Sequence, residues 1–124
     1  GVLMAIEDTE VRKRNPKYSK EQIEEEFKKL FNLKKVIWLP YPSFEDEEVY
    51  DGVLDIIDGN PVFRSLSANG HIDEMCRFVG ENTVLLAEIT EEEAEELESA
   101  RITKERFDQA YEILKNETDA EGNP

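Results

Sequence analysis

Cysteine, histidine and tryptophan each occur only once in the 124 residues. One cysteine cannot form a disulfide within the chain, which is consistent with a reducing compartment such as the cytoplasm. One histidine cannot supply the several nitrogen or sulfur ligands that a zinc site needs. No stretch approaches the roughly 20 apolar residues of a membrane-spanning helix. The sequence therefore favours a cytoplasmic chain without a metal, a cofactor or a membrane partner.

Basic residues are scarce as well. Lysine and arginine number 15 against 30 aspartates and glutamates, which gives a formal net charge of −15. Proteins that bind nucleic acid need a basic surface to neutralise phosphates, so nucleic acid is not an expected partner. An acidic surface could attract a cationic substrate, but it would equally serve solubility.

The apolar segments predict an α/β (α+β) fold with mixed strand pairing. Hydrophobic residues make up 39% of the chain, enough for a buried core in one domain over residues 1–124. Short apolar runs at 2–6 and 36–39 are typical of buried strands. Between them, Ser19 and Gln22 form a capping-box pattern that predicts the start of a helix. The apolar stripe of that helix, which we expect to cover a sheet, consists of Ile23, Phe27, Leu30 and Phe31.

The second half of the chain carries two further helix signals. Thr90 and Glu93 form another capping box at the start of a short acidic segment. Calcium loops need a pattern of aspartate, asparagine and glycine that this segment lacks, so a solvated helix is the better interpretation. A second amphipathic helix is predicted to begin at Thr103.

Two polar stretches allow more than one interpretation. Residues 41–69 are predicted to be a long loop that passes over the mouth of a pocket, because long loops in compact domains are usually functional or disordered. A small hairpin that turns at Asp58-Gly59-Asn60 would fit within it. The cluster Arg12-Lys13-Arg14 could contact an anion, but a solvated connection is the favoured interpretation.

The sharpest chemical pattern is a predicted hairpin whose strands cover 70–79 and 83–89, joined by a Gly/Asn turn. His71 opens its first strand, and Asp73 follows two positions later. Side chains alternate along a strand, so both would emerge on one face as an acid/base pair, together with Arg77. Glu74 and Cys76 would then lie on the opposite face. From the spacing alone, a hydrogen-bonded structural histidine is the favoured interpretation of His-x-Asp.

The run Gly70-His71-Ile72-Asp73-Glu74 resembles the Gly-His-x-Asp strand of the agmatine deiminase and Porphyromonas-type peptidylarginine deiminase family. The resemblance continues in order through most of the chain, including Arg14-Asn15-Pro16, 36–40, 76–79, 82–87 and 111–116. It implies the pentein fold, in which ββαβ-type modules form an α/β-propeller. This chain would make about two modules of a partial propeller, with exposed sheet edges that invite oligomerisation.

The resemblance also implies a function, the hydrolysis of a guanidine through a cysteine-bound intermediate. His71 would be the catalytic acid/base and Asp73 a carboxylate that binds the guanidinium, while Arg77 could pair with an acid group of the substrate. The substrate would be agmatine or, alternatively, peptidyl-arginine. The family cysteine follows a Gly-rich stretch, and Cys76 is expected to be a buried hydrophobe instead. We therefore expect a fragment that is inactive alone, without the nucleophile and without an upstream Glu-Gly-Gly motif.

Two other classes of function stay open. One is a non-catalytic pentein-like module that binds an arginine-like cation or a protein. The other is a metal site built on His71, Asp73 and nearby glutamates, which is disfavoured because zinc prefers several nitrogen or sulfur ligands.

Overall fold

A computed structural model describes residues 1–47 and 52–124. The first half contains strand β1 (Val2–Ile6), a π-helical turn (Asp8–Lys13), helix α1 (Lys20–Phe31), strand β2 (Lys35–Leu39) and a 3₁₀ turn (Phe44–Asp46). The second half contains strands β3 (Val53–Ile57) and β4 (Asn60–Phe63), a 3₁₀ turn (Ile72–Glu74), strands β5 (Cys76–Gly80) and β6 (Thr83–Leu86), and helices α2 (Glu91–Glu96) and α3 (Glu98–Lys115). None of the helices in these described ranges is long and apolar enough to cross a membrane.

The strands form three sheets of two strands each within the described residues. β1 and β2 pair in parallel, with Met4 opposite Ile37, and the connection between them contains α1, as parallel pairs require a crossover. β3–β4 and β5–β6 are antiparallel hairpins. The mixed α/β organisation predicted from the sequence is therefore confirmed, and each described strand has one paired and one open edge.

The two faces of the parallel sheet carry different layers. One face contributes to the hydrophobic core, which consists of Met4, Ile6, Ile37, Leu39, Met75, Cys76, Phe107 and Ala110. The other face packs against α1, where Trp38 stacks on Phe27 and donates a hydrogen bond from Nε1 to Glu24 at 3.0 Å. Trp38 is half-buried, so it lies at the edge of the core and not in its centre.

Helix α1 begins and ends where the sequence predicts. Ser19 accepts a hydrogen bond from the backbone N–H of Gln22, the Gln22 side chain accepts one from Ser19, and Asn32 ends the helix in a left-handed conformation. The prediction that its whole apolar stripe covers a sheet is wrong, because only Ile23 is buried while Leu30 and Phe31 are 71% and 62% exposed. The two-stranded sheet is too narrow to cover the end of the helix.

Other boundaries differ in part from the predictions. The second long helix begins at Glu98 and not at Thr103, which is buried inside it.

The segment 41–69 contains the hairpin β3–β4, which turns at Asp58 and Gly59, both with positive φ, as a tight two-residue hairpin turn requires. Residues 48–51 of that segment lie outside the described residues. The capping box of Thr90 and Glu93 is confirmed at the start of α2.

Candidate functional site

The predicted catalytic residues lie on a turn and not on a strand. His71 directly precedes the 3₁₀ turn Ile72–Glu74, and the strand begins only at Cys76. Gly70 has a φ of +78°, which glycine adopts without the steric cost that a Cβ would bring. The prediction that strand alternation places His71 and Asp73 on one face is therefore wrong, although both residues lie at the same turn. His71 is half-buried and Asp73 is exposed.

The same finding changes the interpretation of Arg77. It is exposed on β5 and pairs with Leu85 of β6. Because β5 does not extend back to His71, the alternation that would align Arg77 with His71 does not apply. A role for Arg77 stays a prediction.

Gly70 is enclosed by two residues from the first half of the chain. The Thr9 hydroxyl donates a hydrogen bond to the Gly70 carbonyl at 2.6 Å. A Cβ on Gly70 would lie 2.8 Å from Thr9 Oγ1 and 2.9 Å from Pro42 Cγ, so only glycine fits. The buried carboxylate of Asp46 accepts hydrogen bonds from the backbone N–H groups of Gly70 and His71. The backbone that carries His71 is thus held by two segments, the π-helical turn and the segment after β2.

The His71 imidazole contacts a guanidinium of the chain itself. Nη2 of Arg14 lies 3.2 Å from Nε2 of His71, and Nη1 of the same arginine lies 3.5 Å from Oε1 of Glu10. Arginine can only donate, so in the neutral imidazole Nε2 is the acceptor of this contact and the proton lies on Nδ1.

The basic cluster is exposed to solvent, as the favoured interpretation predicts, but its side chains also make specific contacts. Its residues close the π-helical turn, where Arg12 donates to the Tyr41 hydroxyl and lies over the Tyr41 ring, and Lys13 donates to the Glu47 carbonyl. Together with the contact of Arg14, these bonds tie the turn to the segment after β2 and to His71.

A groove of about 260 Å³ opens beside His71. Its walls are formed by residues 3–6 of β1, by Phe27 and Phe31 of α1, by Glu10, and by residues 70–72. This volume is close to the lower end of the roughly 300–1,000 Å³ of small-molecule pockets. The groove combines apolar walls with one imidazole and one carboxylate, a setting suited to a small cation with an apolar stem. No described residue between 41 and 69 lines it.

Cys76 is buried, at 5% exposure, and its Sγ lies 3.7 Å from the Met4 sulfur. Burial raises the pKa of the thiol to about 11, because the charged thiolate is poorly solvated there. The prediction that Cys76 is a buried hydrophobe is confirmed. A thiol in this state is a poor nucleophile near neutral pH.

The described residues contain no group of three or more histidine, cysteine, aspartate or glutamate side chains placed to hold a metal ion.

Sequence analysis missed the contributions of Thr9, Glu10, Asp46 and Arg14 to this site. These residues lie 25 to 62 positions before His71 and come together only through tertiary contacts. The adjacent basic residues were the one local signal, and nothing in their spacing pointed to the histidine.

Comparison with known proteins gives consistent matches along the whole chain. The family model described as Porphyromonas-type peptidyl-arginine deiminase matches residues 1–59 and 52–124. The chain is 32% identical to the agmatine deiminase of Medicago truncatula over 123 residues, which are 98% of this chain and 26% of that protein. It is 35% identical, over the same length and shares, to a protein of Listeria monocytogenes that is named as a proposed agmatine deiminase.

The chain spans about a quarter of the length of these curated relatives. Two overlapping matches to one family model together cover all 124 residues. The chain therefore belongs to the Porphyromonas-type peptidyl-arginine deiminase family.

Proposed function

We propose that this chain is part of a deiminase that hydrolyses a guanidine, with agmatine as the substrate and N-carbamoylputrescine and ammonia as the products. The observation that carries the proposal is the half-buried His71 imidazole in the wall of a groove, in a chain that matches the deiminase family over its full length. The apolar walls of the groove suit the aliphatic stem of agmatine.

The proposal gives Asp73 the task of binding the substrate guanidinium. A guanidinium is planar and rich in donors, so a carboxylate can accept two parallel hydrogen bonds from it. Asp73 is exposed, and within residues 1–47 and 52–124 its carboxylate takes part in no ion pair or hydrogen bond. The side chain is therefore available to a ligand, whereas Glu10 already contacts Arg14.

His71 would transfer the protons. In the proposed reaction a cysteine thiolate attacks the guanidinium carbon, a C–N bond breaks, and the nitrogen leaves as ammonia after taking a proton from the imidazolium. Water then attacks the same carbon and gives a proton back to the imidazole. The C–S bond breaks, the remaining hydroxyl proton of the intermediate passes to solvent, and the thiolate and the ureido product are released.

The attacking thiolate would come from outside these 124 residues. Cys76 is unsuited to the role because it is buried and its pKa is raised to about 11. We infer that the isolated chain binds without turnover, and that further ββαβ-type modules of a cytoplasmic pentein protein complete the site. The open edges of β1, β5 and β6 are where such modules, or a second copy of the protein, would pair.

Peptidyl-arginine is a second candidate substrate, favoured by the description of the family model. Arg77 separates the two candidates. Agmatine has no acid group, whereas a peptide that ends in arginine has one that a guanidinium can pair with. A peptide deiminase would therefore lose affinity on Arg77→Met, while an agmatine deiminase would not.

The test compares the isolated chain with the whole protein that contains it. Each is incubated with agmatine and with an arginine-terminated peptide, and both ammonia and the ureido product are measured. We expect turnover by the whole protein only, with large losses for His71→Ala and Asp73→Asn. Glu74→Gln is the matched control, because Glu74 is an exposed carboxylate on the same turn.

Three results would contradict the proposal. Turnover by the isolated chain would show that the nucleophile is inside it. Equal losses for Asp73→Asn and Glu74→Gln would remove the specific role of Asp73. Binding without turnover by the whole protein would favour a non-catalytic module.

A further inference from the structure

Asp46 is a buried carboxylate that accepts three hydrogen bonds from the backbone just before the 3₁₀ turn Ile72–Glu74. Its Oδ1 accepts from the N–H of Ala68 at 2.6 Å, and its Oδ2 accepts from the N–H groups of Gly70 and His71 at 2.9 and 3.3 Å. The residue is 6% exposed, and no lysine or arginine of the described part of the chain forms an ion pair with it.

Burying an unpaired charge is costly unless hydrogen bonds replace the lost water. Here three backbone donors do so, and a carboxylate can accept all three at once, since it has only acceptor sites. An asparagine of the same shape would turn an NH₂ group toward one set of N–H donors. The chemistry of the position therefore favours aspartate over its neutral isostere.

The opposite side of the same peptide group is held as well. The Thr9 hydroxyl donates to the Gly70 carbonyl, so the donors and the acceptor around the Gly70–His71 peptide bond all have partners. Thr9 is 2% exposed, which leaves no room for water to replace it. The main chain at His71 is consequently fixed from two directions before its side chain makes any contact.

We propose that Asp46 is a positioning residue for His71: its buried carboxylate fixes the backbone from Ala68 to His71, so that the imidazole lies in the groove wall beside Arg14. The inference rests on the proposed function, because it gives Asp46 its role through the acid/base His71. Asp46 is absent from the groove lining and does not itself touch the ligand space. Its effect on catalysis is geometric, since displacement of a reacting group by about 1 Å can cost about 100-fold in rate.

The test uses Asp46→Asn and a matched control, Asp58→Asn. The control removes the same charge from the exposed turn of β3–β4, where the positive φ of 51° suits asparagine. In the 124-residue chain, amide hydrogen exchange is measured by NMR at Gly70 and His71, and the imidazole nitrogen shifts of the single histidine are recorded. In the whole protein, kcat and KM are measured separately.

For Asp46→Asn we expect exchange at Gly70 and His71 to accelerate about 10-fold or more, with altered imidazole shifts. We expect kcat to fall about 10- to 100-fold while KM changes little, because Asp46 does not contact the substrate. Asp58→Asn should match the wild type in every measurement. Unchanged exchange and imidazole shifts in a folded Asp46→Asn protein would overturn the proposal, as would an unchanged kcat.

A second variant covers the case in which Asp46→Asn does not fold. Thr9→Val keeps the shape of the side chain but removes the hydroxyl that donates to Gly70. It should also accelerate hydrogen exchange at Gly70 and His71, alter the imidazole shifts and lower kcat, each by less than Asp46→Asn does. No change with Thr9→Val would then count against the proposal. The NMR measurements do not depend on turnover, so a whole protein that hydrolyses no guanidine would reject the proposed function and leave the positioning by Asp46 to be decided separately.

Discussion

Asp55 on β3 caps the N-terminus of α3 through Ser99. Its Oδ1 accepts the backbone N–H of Ser99 at 2.9 Å, and its second oxygen accepts the Ser99 hydroxyl. Leu97, the residue at the N-cap position, has no side chain that can do this. A carboxylate at the start of a helix also interacts favourably with the helix dipole. The long helix that covers the core therefore depends on the β3–β4 hairpin for its first turn.

We expect Asp55→Ala to lower the free energy of unfolding by about 1–2 kcal/mol, the usual cost of losing an N-cap. Urea denaturation followed by the fluorescence of Trp38 measures this change. Asp108→Ala is the control, because Asp108 is an exposed residue of the same helix that contacts Lys104 in a surface ion pair, which is worth little. Equal destabilisation by the two substitutions would contradict the capping role.

Gly70 and Gly59 provide a matched test of the close packing around the His71 backbone. Their φ values are +78° and +77°, so an alanine meets the same backbone strain at both positions. At Gly59 nothing lies within 4 Å of the added Cβ, whereas at Gly70 the Cβ would meet Thr9 and Pro42. We therefore expect Gly70→Ala to destabilise the chain more than Gly59→Ala in urea denaturation, and to abolish turnover in the whole protein. Equal destabilisation by the two substitutions would mean that Thr9 and Pro42 can move apart to accommodate the added Cβ.

Cys76 should make stability depend on pH in the alkaline range. Burial raises the pKa of its thiol from 9.0 to about 11, so between these values the unfolded chain releases a proton that the folded chain retains. Stability from this group is complete below pH 9 and is lost as the pH rises toward 11.

Denaturation curves of the wild type and of Cys76→Ala, taken between pH 8 and about pH 11, isolate this contribution, because the other titrating groups are common to both proteins. We expect the difference in stability between them to shrink as the pH rises. In the folded wild type, iodoacetamide should alkylate the thiol slowly at pH 8, and unfolding in urea should accelerate the reaction. Rapid alkylation of the folded protein would show that Cys76 is accessible.

Arg14 should set which nitrogen of His71 carries the proton. Its guanidinium can only donate, and it lies 3.2 Å from Nε2, so in the neutral imidazole the proton should lie on Nδ1. Replacement by Arg14→Met removes the donor, and ¹⁵N chemical shifts of the single histidine should report a larger fraction of the form protonated on Nε2. Arg12→Met is the control, because that guanidinium contacts Tyr41 and not His71. Identical shifts in all three proteins would contradict the contact.

Local patterns in the sequence predicted local structure well. The cap of α1 at Ser19, the paired strands β5 and β6 and the burial of Cys76 all depend on residues within a few positions of each other. The same patterns failed at His71, where an apolar, β-branched run predicted a strand from Gly70 onward. The outcome there is decided by Asp46 and Thr9, residues 25 and 62 positions away, whose hydrogen bonds override the local preference.

Packing at the exposed end of α1 was also beyond what local patterns can predict. Periodicity showed which residues share one face of the helix, but the width of the sheet beneath them depends on how many strands pair side by side. Only two do so within the described residues, and Leu30 and Phe31 are left exposed.

The hydrogen bond between Thr9 and Gly70 closes a loop of 61 residues, which has a consequence for the order of folding. The hairpins β3–β4 and β5–β6 close over a few residues and need about 1–10 μs, whereas a long loop must overcome a larger closure entropy before its contacts form. We expect the backbone around His71 to be among the last parts of the chain to become ordered. Pulsed hydrogen exchange during refolding would show protection at Gly70 after protection within the hairpins, and earlier protection at Gly70 would contradict this order. His71 would then acquire its geometry only in chains that have already completed the rest of their fold.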